Sequence, residues 1–236
     1  MPPADHLAAI DFPGAIAPLT PADFSALWSN RKLTLRRRIG DARAGVLLEW
    51  DTLRSSIEDG TIPPKSWRLT YRGYRLPPLF YNDDDGLNRG KLAHLFDQGA
   101  SVIAVRLQNY LPAMGAIRRE ARTHGIRIEK IGAIATTGTG GALHLHFDPE
   151  DIVILQMEGS KRWCIYNPPV ANPVRGMPEQ TPPEGLPFLD TVLERGDLLF
   201  VPAGYWHRCD NGPTRSLHVA LLLSPPPAVA SQVKSD

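Results

Sequence analysis

The chain has 236 residues, a formal net charge of +1 and 42% hydrophobic residues. That supplies core for one large domain, and the near-neutral balance excludes a global field drawing nucleic acid or an acidic membrane surface, so neither partner is expected. The two cysteines, Cys164 and Cys209, form no CxxC pair, which excludes a disulfide framework and points to a reducing, cytoplasmic setting.

The opening MPPADHLAAIDFPG lacks the basic and apolar regions of a signal peptide. No apolar run reaches the roughly 18 residues that span a bilayer. Thr20, able to cap, and Pro21, suited to a first turn, predict a short helix over 20–30. The run Arg36-Arg37-Arg38 reads as a solvated face. A second helix is predicted over 49–59, stopped by Gly60. Residues 62–88 hold proline pairs, tyrosines and Asp83-Asp84-Asp85-Gly86, and read as loop and irregular extended chain. Asn88 to Gln98 is a capped helix with Gly99 as its stop. Pro112 opens another helix that runs to about Thr123.

From about 101 the pattern changes to short β-branched or apolar runs separated by Gly, Pro, Asn and Asp. Strands are predicted at Ser101–Leu107, Lys130–Thr136, Ala142–Phe147, Ile152–Met157, Lys161–Tyr166, Asp190–Glu194, Leu198–Val201 and Ser216–Leu222. Such a series suggests a mainly β fold, a jelly roll or closed barrel. The Pro-rich stretch 167–187 is a long loop, a kind usually functional or mobile. The expected organisation is a helical and irregular cover over 1–98, a barrel over 99–224 and a disordered tail over 225–236.

The chemistry concentrates in Ala142-Leu143-His144-Leu145-His146-Phe147-Asp148. On a strand, alternation puts His144, His146 and Asp148 on one face and Leu143, Leu145 and Phe147 on the other. A further imidazole, His207, ends the segment Gly-Asp-Leu-Leu-Phe-Val-Pro-Ala-Gly-Tyr-Trp-His. A lone histidine on a strand is more often structural than a ligand. Two His and one carboxylate on one side of a metal, the other side open, form the facial triad of non-haem Fe(II) oxygenases. Lys161 shares a strand face with Trp163 and Ile165. A charge directed into an apolar barrel is costly unless paired; the competing reading places Lys161 in solvent. Cys209 follows His207 closely enough that a thiol near the metal stays open. Cys164 reads as a small apolar core residue.

The combination HFDPEDIVILQMEGSKRW, GDLLFVPAGYWH and Ser216-Leu217-His218-Val219 resembles the JmjC-type cupins. It is most similar to their ribosomal-protein hydroxylase subgroup, over about 91–223. The resemblance implies a double-stranded β-helix (cupin) barrel that uses Fe(II), 2-oxoglutarate and O2. It implies that His146, Asp148 and His207 are catalytic metal ligands and that Lys161 holds the distal carboxylate of 2-oxoglutarate. Relatives often add a polar residue on the preceding strand; Thr137, Thr136 or Ser216 substitutes here. His144 stands where relatives carry a small or apolar residue, and is either a pocket residue or a rival ligand. His218 is expected to line the pocket or to be a hydrogen-bonded core residue, and Trp206 to pack beneath the metal-bearing turn. Larger relatives continue into a dimerisation region and a winged-helix domain, which this sequence does not show.

The implied reaction is hydroxylation of a protein or peptide side chain with release of succinate and CO2, or demethylation within the same family. A peptide is expected to run between the segment Tyr71-Arg72-Gly73-Tyr74-Arg75 and the loop 167–187, over His144, with Tyr74 in the substrate pocket. The alternatives are a cupin metalloenzyme that does not use 2-oxoglutarate (an isomerase or dioxygenase) and a ligand-binding cupin without turnover.

Overall fold

A computed structural model describes residues 11–37, 47–139, 142–212 and 214–224. The helices are α1 (Phe12–Ile16), α2 (Pro21–Ser29), α3 (Trp50–Glu58), α4 (Arg89–Asp97) and α5 (Pro112–Thr123). Local chemistry sets their ends. Thr20 and Asp23 close a reciprocal capping box on α2. The Asn88 side chain accepts from the Lys91 N–H to start α4. The buried residues Trp50, Leu53 and Ile57 on α3, and Met114, Ile117 and Ala121 on α5, recur at helical spacing and face one core. Helix α1 was not expected from the sequence; Asp11 caps it, and its Phe12 and Ile16 are fully buried.

The strands are β1 (Thr34–Arg36), β2 (Trp67–Tyr71), β3 (Tyr74–Arg75), β4 (Asn82–Asp83), β5 (Gly86–Leu87), β6 (Ser101–Ala104), β7 (Ile128–Thr136), β8 (Asp151–Glu158), β9 (Ser160–Tyr166), β10 (Leu189–Glu194), β11 (Leu198–Val201), β12 (Trp206–Asn211) and β13 (Ser216–Leu223). An 8-stranded sheet runs β1-β11-β8-β13-β7-β6-β2-β3, and a 3-stranded sheet β10-β9-β12 lies opposite it. These ladders are antiparallel.

The large sheet is buried on both faces, and β8 shows why. Val153, Leu155 and Met157 point into the core shared with the helices, while Ile152 and Ile154 point inward with Trp163, Ile165 and Cys209 of the second sheet. A strand covered on both sides reads as a continuous apolar run. The result is the mainly β, double-stranded β-helix barrel of the cupins, with helices packed outside the large sheet. The N-terminal part also supplies β1, β2 and β3 to that sheet, so cover and barrel share one ladder.

Several sequence expectations change. Residues 62–88 are not irregular throughout: Trp67 and Leu69 face inward on β2 between two proline pairs whose turn signals mask the alternation. Strand β12 was missed because its inward positions are His207, Cys209 and Asn211 rather than aliphatic residues. Strand β6 stops at Ala104, since Arg106 takes a left-handed conformation (φ 60°) that opens a 3-10 turn. Ala142–Phe147 is not a ladder strand; it meets its neighbour only at the isolated bridge His146–His207. The expected tail and Arg38 lie outside the described residues. Among the described residues no helix is long and apolar enough to cross a membrane.

Candidate metal centre

His207 sits on β12, and its N–H and C=O exchange hydrogen bonds with those of His146 at 2.7 and 3.1 Å. That two-bond bridge sets the imidazole rings side by side, with centroids 4.4 Å apart. Asp148 is held by the turn that precedes β12. The Gly204 N–H donates to the Asp148 carbonyl at 2.9 Å, and its own carbonyl accepts from Val170. Gly204 has φ +89°, and a Cβ there would lie 2.2 Å from the Val170 carbonyl oxygen, so glycine is required. Asp151 secures the same turn from the other side: it accepts from the Ala203 N–H, the Trp28 indole and Arg31.

The Asp148 Oδ2 lies 3.8 Å from His146 Nε2 and 3.5 Å from His207 Nε2. One ligand atom from each of the three residues falls within 4.8 Å of the others. The tautomers follow from the partners. His146 Nδ1 faces the His144 carbonyl at 2.7 Å, and His207 Nδ1 faces the Tyr205 carbonyl at 3.0 Å. A carbonyl only accepts, so each Nδ1 carries the proton and each Nε2 presents a lone pair. Burial, with His146 beside it, pushes the His207 imidazole down to about 4, which keeps it in the neutral form a metal needs. Two imidazoles and one carboxyl group converge on one point and leave its other side to a cavity of about 150 Å³.

Leu143, Trp163, Cys209, His218 and Ile134 form part of that cavity's wall. Trp163 stacks on His207 (5.7 Å, 27°) and meets His218 edge-on at 5.5 Å. His218 is buried, and among the described residues its Nδ1 has no partner. Cys209 is a free, buried thiol whose pKa burial raises. Trp206 packs on Phe147 at 5.0 Å, beneath the metal-bearing segment.

The barrel interior is layered. Paired residues on antiparallel strands project to the same side. The register therefore stacks His207/Ile165, Cys209/Trp163 and Asn211/Lys161 in turn, while His218/Ile134 is followed by Ser216/Thr136. From His207 to Asn211 an extended strand advances about 13 Å. Lys161 is 0% exposed, so the solvent-facing reading fails. Its Nζ donates to Thr136 Oγ1 at 3.3 Å, and among the described residues it makes no ion pair. Burial holds its pKa below the usual lysine value. Lys161 is not on the cavity wall; Trp163, Cys209 and His218 form the layer between.

Around Lys161 lies a polar floor: Thr136 bonded to Ser101, and Gln156 donating to Ser216 Oγ at 2.9 Å. Among the described residues, Gln156 Oε1 and Asn211 Oδ1 are buried without partners. The expected role of Thr137 is not supported, because its hydroxyl turns outward to the Phe96 and Ala100 carbonyls; Thr136 reaches Lys161 instead. Ser216 is on the floor but already accepts from Gln156. Gln156 and Asn211 were not picked out in the sequence, although Gln156, lone among the apolar residues of β8, was a readable signal.

His144 does not share the face of His146 and Asp148. The irregular backbone turns its ring onto the β2–β3 hairpin, where a Cβ on Gly73 would come within 2.6 Å of it. The Tyr74 ring stands edge-on at 4.6 Å. Tyr74 is itself 69% exposed. Arg72, Gly73, His144, Arg208 and Asp210 line an open groove of about 460 Å³, and Leu143 lines both this groove and the metal cavity. No residue of the loop 167–187 lines the groove. Asn172, Pro173 and Val174 border a separate hollow with Arg31 and Glu150.

This barrel, with its His-Asp-His centre at one mouth, is similar in fold and site to the JmjC-type cupins. Residues 118–230 match the JmjC domain model, and the chain's similarity runs to the ribosomal oxygenases. It is 30% identical over 131 residues to the bifunctional lysine-specific demethylase and histidyl-hydroxylase NO66 of Culex quinquefasciatus, covering 53% of this chain and 20% of that protein. Ribosomal oxygenase 1 of Danio rerio is 40% identical over 81 residues, covering 32% and 15% of the two chains. The crystal structure of the Escherichia coli ribosomal oxygenase YcfD superposes with a TM-score of 0.60 at 18% identity, over 89% of this chain and 53% of that one. The chain thus spans about half the length of that solved structure and a smaller share of the curated relatives.

Proposed function

We propose that the protein is an Fe(II)- and 2-oxoglutarate-dependent oxygenase that hydroxylates a protein or peptide side chain, releasing succinate and CO2. The observation that carries this reading is the pairing of an open His146–Asp148–His207 centre with a buried Lys161, without an ion pair among the described residues, at the far end of the same barrel. A dicarboxylate ketoacid has one end for each. The structure of YcfD with cobalt and 2-oxoglutarate, which shares this fold, supports the same choice.

In this reading His146, Asp148 and His207 hold the metal, and their Nδ1–carbonyl bonds keep both Nε2 lone pairs aimed at it. Lys161 and the Thr136 hydroxyl donate to the distal carboxylate. Bound there with O2, iron and 2-oxoglutarate supply the oxidant for a substrate C–H bond. The chain's residues exclude water and orient the groups; Trp163, stacked on His207, also screens the floor from the mouth. Cosubstrate entry requires the Trp163–Cys209–His218 layer to part. The substrate lies in the groove of Arg72, His144 and Arg208, with Tyr74 at its rim. His144, turned onto the hairpin, is not a ligand, which weighs against a cupin centre with an added imidazole.

The test is anaerobic addition of 2-oxoglutarate to the Fe(II) protein. A weak visible charge-transfer band, with a change in tryptophan fluorescence as the layer opens, is expected. Absence of the band would favour a cupin that does not use 2-oxoglutarate. Comparing cell proteins with and without the enzyme by mass spectrometry, for a gain of one oxygen, would then find the substrate.

A further inference from the structure

The three metal-site residues are not held equally. His207 lies in the β12–β9 ladder, and Asp148 is tied by the Gly204 N–H. His146 hangs on a segment that, among the described residues, makes no backbone hydrogen bond before its own bridge to His207. Its ring lies against that of His207, and among the described residues its one hydrogen bond is from Nδ1 to the His144 carbonyl at 2.7 Å. That carbonyl belongs to the residue whose side chain is seated on another element. The His144 ring fills the space over Gly73 (φ +86°) and abuts Tyr74. Glycine at 73 serves two ends at once: it permits the left-handed turn and leaves room for an imidazole plane.

We infer that His144 is a positioning residue: its ring, seated on Gly73 and Tyr74, fixes the carbonyl that orients His146 at the metal. This rests on the metal reading proposed above. The consequence is a mechanical link between groove and metal, because the ring that sets His146 is also part of the groove wall. A substrate pressing on the hairpin or on His144 bears on the geometry of the first ligand. The seat is ring packing, so an imidazole is not required for it; a phenyl ring of similar breadth serves.

The experiment uses the full chain and Co(II) alone, read by its d–d absorption bands and by calorimetric titration. Loss of a group that orients a metal-bound histidine typically weakens metal binding by about 10–100-fold. His144→Ala is expected to weaken Co(II) binding by about tenfold and to shift the visible bands. Tyr74→Ala, at an exposed position, is expected to shift the same bands with an unchanged Tm. His144→Phe is expected to restore both affinity and spectrum. The inference is overturned if His144→Ala and Tyr74→Ala bind Co(II) with wild-type affinity and spectrum, or if His144→Phe behaves like His144→Ala, which would make the imidazole itself a ligand. Failure of the underlying metal reading looks different: Asp148→Ala would then leave Co(II) binding unchanged.

Discussion

The two ends of the barrel interior follow opposite rules. At the mouth, the histidine atoms that do not face the common point are already satisfied: both Nδ1 groups donate to carbonyls. At the floor, Lys161 is sealed from solvent, and among the described residues its hydrogen bond goes to a hydroxyl while Gln156 Oε1 and Asn211 Oδ1 have no partner. Ligand rings whose Nδ1 groups are satisfied cost the fold little, and on the cavity wall His218 Nδ1 and Trp163 Nε1 have no partner among the described residues. Each unsatisfied buried polar group costs about 1–3 kcal/mol, more when charged. A fold that seals the Lys161 ammonium there retains it for an anionic ligand that offsets the cost. In the reading proposed above, the mouth is pre-arranged and the cosubstrate's distal carboxylate completes the floor at Lys161.

The largest break in this contrast is at the mouth. Asp148→Ala removes the single carboxylate of the centre and is expected to abolish succinate production with little loss of Tm. Wild-type succinate from that variant would place the metal elsewhere.

At the floor, a charge-assisted hydrogen bond is worth about 1.5–3 kcal/mol, and about 1.4 kcal/mol is one decade of affinity. Lys161→Ala is therefore expected to raise the apparent constant for 2-oxoglutarate by at least roughly tenfold. An unchanged constant would move the carboxylate's partner to another residue.

A smaller effect sharpens the contrast by stability alone. Lys161→Met keeps the bulk and removes the buried cation. The ligand-free protein is expected to gain about 2–4 °C in Tm per kcal/mol relieved, and to lose the thermal shift that 2-oxoglutarate gives the wild type. A fall in Tm would show that Lys161 is compensated at the floor without a ligand.

The smallest effect is expected outside the barrel. Val170 and Arg175 anchor the start of the Pro-rich loop to Gly204 and Glu150, while Leu186 is almost fully exposed. Trimming residues 177–186 should leave substrate-uncoupled turnover of 2-oxoglutarate unchanged. It should alter substrate hydroxylation by less than tenfold, because no residue of the loop lines the groove. Complete loss of hydroxylation would return the loop to the substrate path.

Much of the fold could be read from neighbours in the chain. Thr20, Asn88 and Pro112 mark helix starts by capping and first-turn chemistry, and the apolar runs of β7, β8 and β13 match their observed strands closely. These signals are local, so tertiary contacts did not override them. Strand β12 escaped because the usual sign of a strand, an apolar face, is absent where that face lines the centre. The composition that makes β12 chemically useful is what hid it.

By itself the sequence determined the class of fold and singled out His146, Asp148 and His207 as a group, while it left Lys161 open between the barrel interior and solvent. The first two follow from a period of two and from residue type, and Lys161 stayed open because a charge is costly to bury unpaired. Only the tertiary structure decided that His144 leaves that group for the hairpin, that Thr136 rather than Thr137 meets Lys161, and that Gln156 and Asn211 share its floor. Alternation predicts side-chain direction only while a strand stays in a ladder. Between Ala142 and His146 the chain has no such partner, so its side chains take the directions that packing on Gly73, Tyr74, Tyr166 and Trp206 allows.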